Sequence, residues 1–276
     1  TEVVWIARPQ LRKGAPNTLA VCPFVKLWAR PNNGEQINFR QMKKKLVVLT
    51  GAGISAESGI KTFRDSDGLW EGHDVMEVAT PEGWRKNPAL VLDFYNQRRK
   101  QLLEVKPNLA HQVLVDLEQD FEVYIVTQNV DDLHERAGSQ NVLHLHGELL
   151  KVRSTRNESY VLDWRGDLQL GDCDANGNQL RPHIVWFGEV VPALEAAIDL
   201  VEQADYIAII GTSLQVYPAA GLTDFAPKNI PIFYIDPKAT SISNLKNPLT
   251  CIPMKATAGI LVLQQKLMEL EKKTKS

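Results

Sequence analysis

The chain has 276 residues, of which 44% are hydrophobic and 23% are charged, a composition typical of a soluble globular protein with one large domain or two unequal ones. Its formal net charge of −2 provides no basic field, so nucleic acid is not an expected partner. No apolar run approaches the roughly 20 residues of a membrane-spanning helix, so we expect no membrane partner either. The cysteines Cys22, Cys173 and Cys251 are far apart, which excludes a disulfide framework and favours a reducing, cytoplasmic location.

Residues 1–41 differ in character from the rest of the chain. Four prolines are scattered through them, and neither helical nor strand periodicity persists. No unbroken apolar stretch ends in a small-residue cleavage site, so the segment does not resemble a signal peptide. We expect the folded domain to begin near Met42. The preceding segment is then an extension, a targeting remnant or a wrongly assigned start.

Four short runs, nearly continuous in apolar residues, predict strands that are buried on both faces of a parallel sheet. They lie at 46–50, 123–127, 206–210 and 232–235. Amphipathic patterns separate or follow them, which predicts helices at 88–105, 109–119, 193–203 and 258–272. Alternation of strands and helices favours an α/β fold with a Rossmann-like, doubly wound parallel sheet.

The first predicted strand leads directly into a glycine-rich turn, Gly51-Ala52-Gly53-Ile54-Ser55-Ala56. Glycines at such a turn let the backbone approach a pyrophosphate, and the first amides of the following helix attract it. The same turn also occurs without a ligand. A dinucleotide-binding dehydrogenase would need a second strand that ends in an acidic residue about 20 positions later. Residues 62–68 are a polar loop without a preceding strand, which disfavours an ordinary dehydrogenase.

Five further motifs follow in order. They are Glu57-Ser58-Gly59-Ile60 with Thr62-Phe63-Arg64, then Thr127-Gln128-Asn129-Val130-Asp131, His144-Leu145-His146-Gly147, Arg181-Pro182-His183-Ile184-Val185-Trp186-Phe187-Gly188-Glu189, and Gly211-Thr212-Ser213-Leu214. In this order and spacing, the motifs resemble the sirtuin family of NAD-dependent protein lysine deacylases. The resemblance extends from Met42 to the predicted C-terminal helix.

The resemblance implies NAD as cofactor and an acyl-lysine protein as substrate, with nicotinamide released and the acyl group transferred to ADP-ribose. It implies His146 as the general base, in keeping with the near-neutral titration of histidine, and Asn129 and Asp131 as its catalytic partners. His144 is expected either to support the residues that contact the ligands or to be purely structural. The residues that would bind the cofactor are Gly51, Ala52, Gly53, Ile54, Ser55, Thr62, Phe63, Arg64, Trp70, Gln128, Asn129, Asp131, Gly211, Thr212, Ser213, Asp236 and Ala258.

The segment Val185-Trp186-Phe187-Gly188-Glu189 is interpreted as an extended edge. The resemblance implies that Val185, Phe187, Gly188 and Glu189 bind the acyl-lysine peptide, by backbone pairing that tolerates many sequences. The alternative is an internal strand followed by a turn.

Most members of the family carry two C-x-x-C pairs that hold a structural zinc ion. The corresponding positions here are Ser154, Asn157, Cys173 and Asn176, so we predict no metal. The dipeptide Asn176-Gly177 predicts a hairpin with a type I′ turn, and Trp164 could pack beneath it. Residues 172–177 also resemble the start of a calcium loop, but its twelfth position is His183 instead of a glutamate.

Tyr95 and Arg98 are three residues apart and therefore share one face of the predicted helix 88–105. The pair resembles the sirtuin branch that removes succinyl, malonyl and glutaryl groups. An arginine can bind a carboxylate with two hydrogen bonds, and a tyrosine hydroxyl can add a third. The alternative is a solvated basic helix, since Arg99 and Lys100 follow directly.

We therefore predict an NAD-binding domain from 42–64, 109–150 and 181–276, and a small domain from 65–108 and 151–180. The predicted activity is NAD-dependent lysine deacylation, with preference for succinyl or malonyl groups. Two alternatives remain: a sirtuin that transfers ADP-ribose to protein or only cleaves NAD, and a non-catalytic NAD-sensing module.

Overall fold

The computed structural model of the chain describes residues 43–60, 69–70, 72–242 and 245–275, with 69–70 and 274–275 described by their backbone only. The predictions made for residues 1–41, Thr62, Phe63, Arg64 and the side chain of Trp70 lie outside this part of the chain. No described helix is both long enough and apolar enough to cross a membrane.

The described residues form both strands and helices. The strands are β1 (Lys45–Thr50), β2 (Leu69–Trp70), β3 (His73–Asp74), β4 (Glu122–Thr127), β5 (Val142–His144), β6 (Gly147–Ser154), β7 (Val161–Asp163), β8 (Leu180–Ile184), β9 (Tyr206–Ile210), β10 (Ile232–Ile235) and β11 (Leu249–Ile252). The α-helices are α1 (Ala52–Ser55), α2 (Val75–Val78), α3 (Pro81–Lys86), α4 (Pro88–Glu104), α5 (Leu109–Leu117), α6 (Leu133–Ala137), α7 (Leu194–Glu202) and α8 (Ala256–Lys275). Two 3-10 helices span Ala56–Ser58 and Ala219–Phe225.

Six strands form one parallel sheet in the order β11-β10-β9-β1-β4-β5. The chain first extends the sheet from β1 to β4 and β5, then crosses to the other side of β1 for β9, β10 and β11. The connections therefore reverse direction between β1 and β9, which is the position where doubly wound sheets bind ligands. The predicted Rossmann-like fold is confirmed.

Alternation along β1 assigns its side chains to two apolar layers. Leu46 and Val48 pack in one cluster with residues of α5 and α8, such as Leu114 and Ile260. Val47 and Leu49 belong to the opposite cluster, which includes α7 and the 3-10 helix at 219–225. Helices thus cover both faces, which explains why the central strands are apolar throughout.

A separate antiparallel sheet has the order β7-β6-β8 and packs against α4. It begins at Gly147 and ends at Ile184, so it includes residues 147–150 and 181–184, which are predicted above to belong to the NAD-binding domain. Helix α4 begins at Pro88 as predicted, and Asn87 caps it by accepting a 3.1 Å hydrogen bond from the Leu90 amide. The other three predicted helices are also present, as α5, α7 and α8.

Candidate active site

The site lies at the carboxyl edge of the parallel sheet. Thr50 at the end of β1 is in register with Thr127 of β4 and with Ile210 of β9. The residues that follow these strands, Gly51, Gln128 and Gly211, therefore emerge side by side. The sheet brings together three motifs that are more than 70 residues apart in the sequence.

His146 lies two residues after β5 and immediately before β6. Its Nδ1 is 3.0 Å from the carbonyl oxygen of Gln128 and must carry the proton, because a carbonyl only accepts. Nε2 is buried and has no hydrogen-bond partner among the described residues. Burial lowers the pKa of His146, although the bond to Gln128 opposes this. The ring is therefore a neutral imidazole whose Nε2 lone pair is available to accept a proton.

Asn129, Ser55 and Asp131 form a buried polar network beside it. The Asn129 side-chain amide donates to the Ser55 hydroxyl at 3.2 Å, and this hydroxyl donates to Asp131 Oδ2 at 2.9 Å. Burial raises the pKa of Asp131 to about 6, against the lowering effect of hydrogen bonds from the Leu133 amide and Ser55 and of the nearby His144 charge. The predicted catalytic residues Asn129 and Asp131 are thus connected through the glycine-rich turn.

The glycine-rich turn packs against the end of β9. The amides of Gly51 and Gly53 donate to the carbonyls of Ile210 and Gly211 at 3.0 and 2.8 Å. A side chain at Gly53 would place its Cβ 2.6 Å from Gly211 Cα, so both glycines allow this backbone approach. Helix α1 begins at Ala52, and the Ile54 amide in its first turn donates to the Gly51 carbonyl at 3.1 Å. The contact of this helix N-terminus with a pyrophosphate stays a prediction.

The remaining predicted cofactor residues lie along the same edge. Thr212 is buried, and its hydroxyl accepts a 3.1 Å hydrogen bond from the Gln128 side chain. Ser213 follows Thr212 and is partly buried. Asp236 directly follows β10, where its carboxylate accepts a hydrogen bond from the Lys238 amide. Ala258 is exposed near the start of α8. All of them remain predictions as contacts to NAD.

The segment Val185–Glu189 is not the continuous extended edge that the sequence suggested, and that interpretation is wrong from Phe187 onward. The backbone turns at Phe187–Gly188, where Gly188 has a φ of 90°. Glu189 causes this, because its carboxylate accepts hydrogen bonds from the Trp186 amide at 2.8 Å and from Arg153 and Arg181 at 3.1 and 2.8 Å. The carboxylate of Glu189 is thereby committed to contacts within the protein. Val185 directly follows β8, and its amide donates to the His146 carbonyl at 2.9 Å.

Tyr95 packs in the apolar cluster that α4 forms with residues of the antiparallel sheet, such as Leu149 and Ile184. Tyr95 is fully buried, and its hydroxyl accepts a 3.1 Å hydrogen bond from Trp186 Nε1. Arg98 is half-buried, with its guanidinium carbon 5.4 Å from the centre of the Phe94 ring. The alternative of a solvated basic helix is wrong for Arg99, which is buried and donates to Asn96 and to the Leu149 carbonyl.

Hydrogen bonds connect the region that the resemblance compares with a zinc-binding module. Ser154 Oγ donates to Asp174 at 2.7 Å, and Asp174 also accepts from the amides of Asn176 and Asn178 at 2.9 Å. The described residues contain no group of three or more His, Cys, Asp or Glu side chains that could hold a metal ion.

The hairpin predicted around Asn176-Gly177 exists, with Cys173 bridged to Gln179. Its predicted type I′ turn is wrong, because that turn needs a positive φ at both residues, and only Gly177 has one. The hydrogen bonds to Asp174 shape the turn instead. Trp164 packs on the neighbouring apolar cluster as expected.

Three residues of the site were missed from the sequence. Trp186 contacts Tyr95, Arg181 stacks on the Trp186 ring at 3.7 Å, and Glu135 contacts His144 at 2.7 Å. Trp186 and Arg181 stand in a quoted motif, which was a usable signal. Glu135 lies on α6 outside the motifs, and nothing in the sequence pointed to it.

A doubly wound sheet whose carboxyl edge carries a neutral histidine among buried amide and carboxyl groups is typical of nucleotide-using enzymes of the Rossmann-like class. The model of the Sir2 family matches residues 51–218. The chain belongs to the Sir2 family.

Proteins and structures similar to this chain agree with that assignment. A protein of Helicobacter pylori (strain ATCC 700392 / 26695) named NAD-dependent protein deacylase is 61% identical over 227 residues, 82% of this chain and 99% of that protein. A Bacteroides thetaiotaomicron protein of the same name is 52% identical over 231 residues, 82% of this chain and 98% of that protein. A Sir2 homolog–NAD complex has a TM-score of 0.70 at 39% identity, over 83% of this chain and 91% of that chain. A Sir2 structure bound to an acetylated peptide has a TM-score of 0.66 at 30% identity, over 81% and 93% of the respective chains.

Proposed function

We propose that this chain is an NAD-dependent protein lysine deacylase with a preference for acyl groups that end in a carboxylate. The observation that carries the activity is His146: its Nδ1 is held by the Gln128 carbonyl, while its buried Nε2 has no partner in the described part of the chain. A buried nitrogen lone pair without a donor is costly unless a ligand supplies one. The relatives named NAD-dependent protein deacylase support the assignment.

The cofactor fits the same edge of the sheet. NAD, when bound, supplies the ribosyl group that accepts the acyl group as nicotinamide leaves. His146 accepts the proton of a ribose hydroxyl at Nε2, for which its lowered pKa keeps it neutral at physiological pH. Asn129 and Asp131 offer amide and carboxylate groups that match the two hydrogen-bonding edges of a carboxamide.

Tyr95 and Arg98 support the acyl preference. Both are on one face of α4, and Arg98 is half-buried, so its charge is partly shielded from water. A carboxylate that reaches this guanidinium would gain a charge-assisted hydrogen bond in a region of low dielectric. An acetyl group has no such carboxylate. The preference for succinyl or malonyl groups therefore rests on Arg98 more than on Tyr95, whose hydroxyl already accepts from Trp186.

The position of Val185 supports binding of an acyl-lysine peptide. The Val185 amide donates to the His146 carbonyl at 2.9 Å, which places this stretch of backbone directly beside the proposed base. A peptide strand alongside it would bring its lysine side chain toward His146, largely independent of sequence.

The test is incubation of the protein with NAD and acetyl-, succinyl- or malonyl-lysine peptides, followed by mass spectrometry. We expect free lysine peptide, nicotinamide and an acylated ADP-ribose in equal amounts. ADP-ribose attached to the peptide or to the protein would indicate a transferase instead. Nicotinamide without loss of the acyl group would indicate an NAD-cleaving enzyme, and bound but intact NAD would indicate a sensing module.

A further inference from the structure

Two histidines of the same segment bind successive carbonyls of the loop after β4. His146 Nδ1 is 3.0 Å from the carbonyl oxygen of Gln128, and His144 Nδ1 is 3.0 Å from that of Asn129. Each Nδ1 must carry a proton, since carbonyl oxygens only accept. The backbone of Gln128 and Asn129 is therefore fixed at two adjacent carbonyls by histidines at the end of β5.

The two rings differ at Nε2. That of His146 has no partner among the described residues, whereas that of His144 is 2.7 Å from Glu135 Oε1 on α6. A carboxylate accepts, so Nε2 of His144 is protonated as well and the ring is an imidazolium. Burial alone would lower the pKa of His144, but the hydrogen bond and charge of Glu135 outweigh it and raise that pKa. His144 cannot act as a base while this pair is formed.

Other charged groups also face this pair. Glu148 adds to the negative field at His144, and it is paired with Lys151 at 2.8 Å. The charge of His144 acts in turn on two buried neighbours: it lowers the pKa of Asp131 and that of His134. Among these groups, only Glu135 combines a negative charge with a hydrogen bond to the His144 ring.

We propose that Glu135 and His144 are a positioning pair for NAD. The His144 ring holds the backbone of Asn129, and the charge that Glu135 maintains on it keeps Asp131 in its acceptor form. This inference rests on the proposed function, because it assumes that Asn129 and Asp131 contact the nicotinamide end of NAD.

The consequence for Asp131 follows from its burial. Its pKa is about 6 with His144 charged, so a neutral His144 allows it to rise further toward neutrality. A protonated Asp131 loses an acceptor for the carboxamide of NAD. Removal of the charge should therefore weaken NAD binding near neutral pH, and leave it unchanged at alkaline pH, where His144 is neutral in the wild type too.

Glu135→Gln removes the charge but keeps the side-chain length and hydrogen-bonding capacity. We expect its NAD affinity, measured by calorimetry from about pH 5.5 to 8.5, to be about fivefold below wild type at about pH 6.5 and equal at the alkaline end. Glu148→Gln is the matched control, since it removes one charge near His144 without breaking a hydrogen bond to it. It should change NAD affinity less than about twofold.

Variants of His144 separate geometry from charge. The His144→Asn side chain can still donate to the Asn129 carbonyl but carries no charge. We therefore expect its NAD affinity to depend on pH in the same way as that of Glu135→Gln. His144→Phe loses both contacts, and should bind NAD weakly at every pH and have a lower kcat. NMR of labelled histidines should show a lower His144 pKa in Glu135→Gln, a readout that general destabilisation would not give.

Identical NAD profiles of Glu135→Gln and wild type would overturn the role of the charge. A His144→Phe enzyme with wild-type kcat and NAD affinity would overturn the role of the backbone contact. Failure of the proposed function looks different: the wild type would bind NAD but transfer no acyl group, while the binding profiles would still test the pair.

Discussion

The indole nitrogen of Trp186 donates a 3.1 Å hydrogen bond to the hydroxyl of Tyr95, and both side chains are buried. This contact orients the hydroxyl on the face of α4 that carries Arg98. Trp186→Phe removes the donor and keeps an aromatic ring for Arg181 to stack on. We expect kcat/KM on succinyl-lysine peptide to fall about fivefold, the value of one neutral hydrogen bond, and kcat/KM on acetyl-lysine to be unchanged.

The control for this prediction is a double-mutant cycle. In a Tyr95→Phe background, Trp186→Phe should have no further effect on succinyl-lysine, because the hydroxyl it orients is absent. Additive losses, or equal losses on both acyl substrates, would show that Trp186 acts only through packing.

Arg98 is the test of acyl selectivity. Arg98→Met should lower kcat/KM on succinyl- and malonyl-lysine by about tenfold to about a hundredfold, and spare acetyl-lysine, because only the first two lose a charge-assisted hydrogen bond. Lys100→Met is the matched control: it also replaces a basic residue of the same helix by methionine, at an exposed position that pairs with Asp167. It should affect neither substrate. A wild-type enzyme that prefers acetyl-lysine would contradict the proposed preference.

His146 is the test of the base. His146→Ala should lower single-turnover deacylation by about a hundredfold or more and leave NAD affinity within about twofold, because the imidazole acts after the cofactor is bound. In the wild type the rate should rise with pH along a limb below pH 6.5, since burial lowers the pKa of His146 and only the neutral ring accepts a proton. Near wild-type turnover by the variant would rule out the assignment.

Two buried histidines predict that the folded protein loses stability as the pH falls. The rings of His111 and His134 pack edge to face with their centres 4.9 Å apart. Burial lowers the pKa of His111 to about 4 and that of His134 well below 6.5. Between pH 6.5 and about 4 the unfolded chain binds protons that the folded protein does not, so the free energy of unfolding falls as the pH falls, by up to about 1.4 kcal/mol per pH unit for each histidine.

His111→Gln isolates one of these histidines. His111 accepts a 3.2 Å hydrogen bond from the amide of Asn108 at the start of α5, and a glutamine can take over this capping role without titrating. Urea unfolding of the variant should therefore show a flatter dependence on pH between 6.5 and about 4. Parallel curves for wild type and variant would contradict the prediction.

Because the hydrogen bond between Ser154 and Asp174 connects this region, we expect the protein to be stable without zinc. Elemental analysis should find no stoichiometric zinc in the purified protein, and a chelator should leave its Tm unchanged. Ser154→Ala should lower the Tm, because Ser154 Oγ also accepts hydrogen bonds from the amides of Arg156 and Asn157. Ser159→Ala, at an exposed residue of the next turn, is the control. One zinc per chain would contradict the prediction.

Most of the parallel sheet could be predicted from local sequence patterns. The apolar runs of β1, β4, β9 and β10 were predicted to within one residue, because strands buried on both faces are apolar at every position. Strands β5 and β11 were missed, since three or four residues at the sides of the sheet leave no distinct pattern. The turn after Asp174 was mistaken because a carboxylate, and not the Asn-Gly dipeptide, determines its backbone.

The residues of the candidate site and their order, including His146, Asn129 and Asp131, can be read from the sequence. What each of them contacts depends on how the chain folds. The i, i+2 spacing places His144 and His146 on one face, but Glu135 arrives from α6 and pairs with only one of them. Similarly, Glu189 binds two arginines from β6 and β8. The charge state and free hydrogen-bonding atoms of a site residue depend on such partners from distant segments. The alternation of side chains along one strand does not reveal these partners.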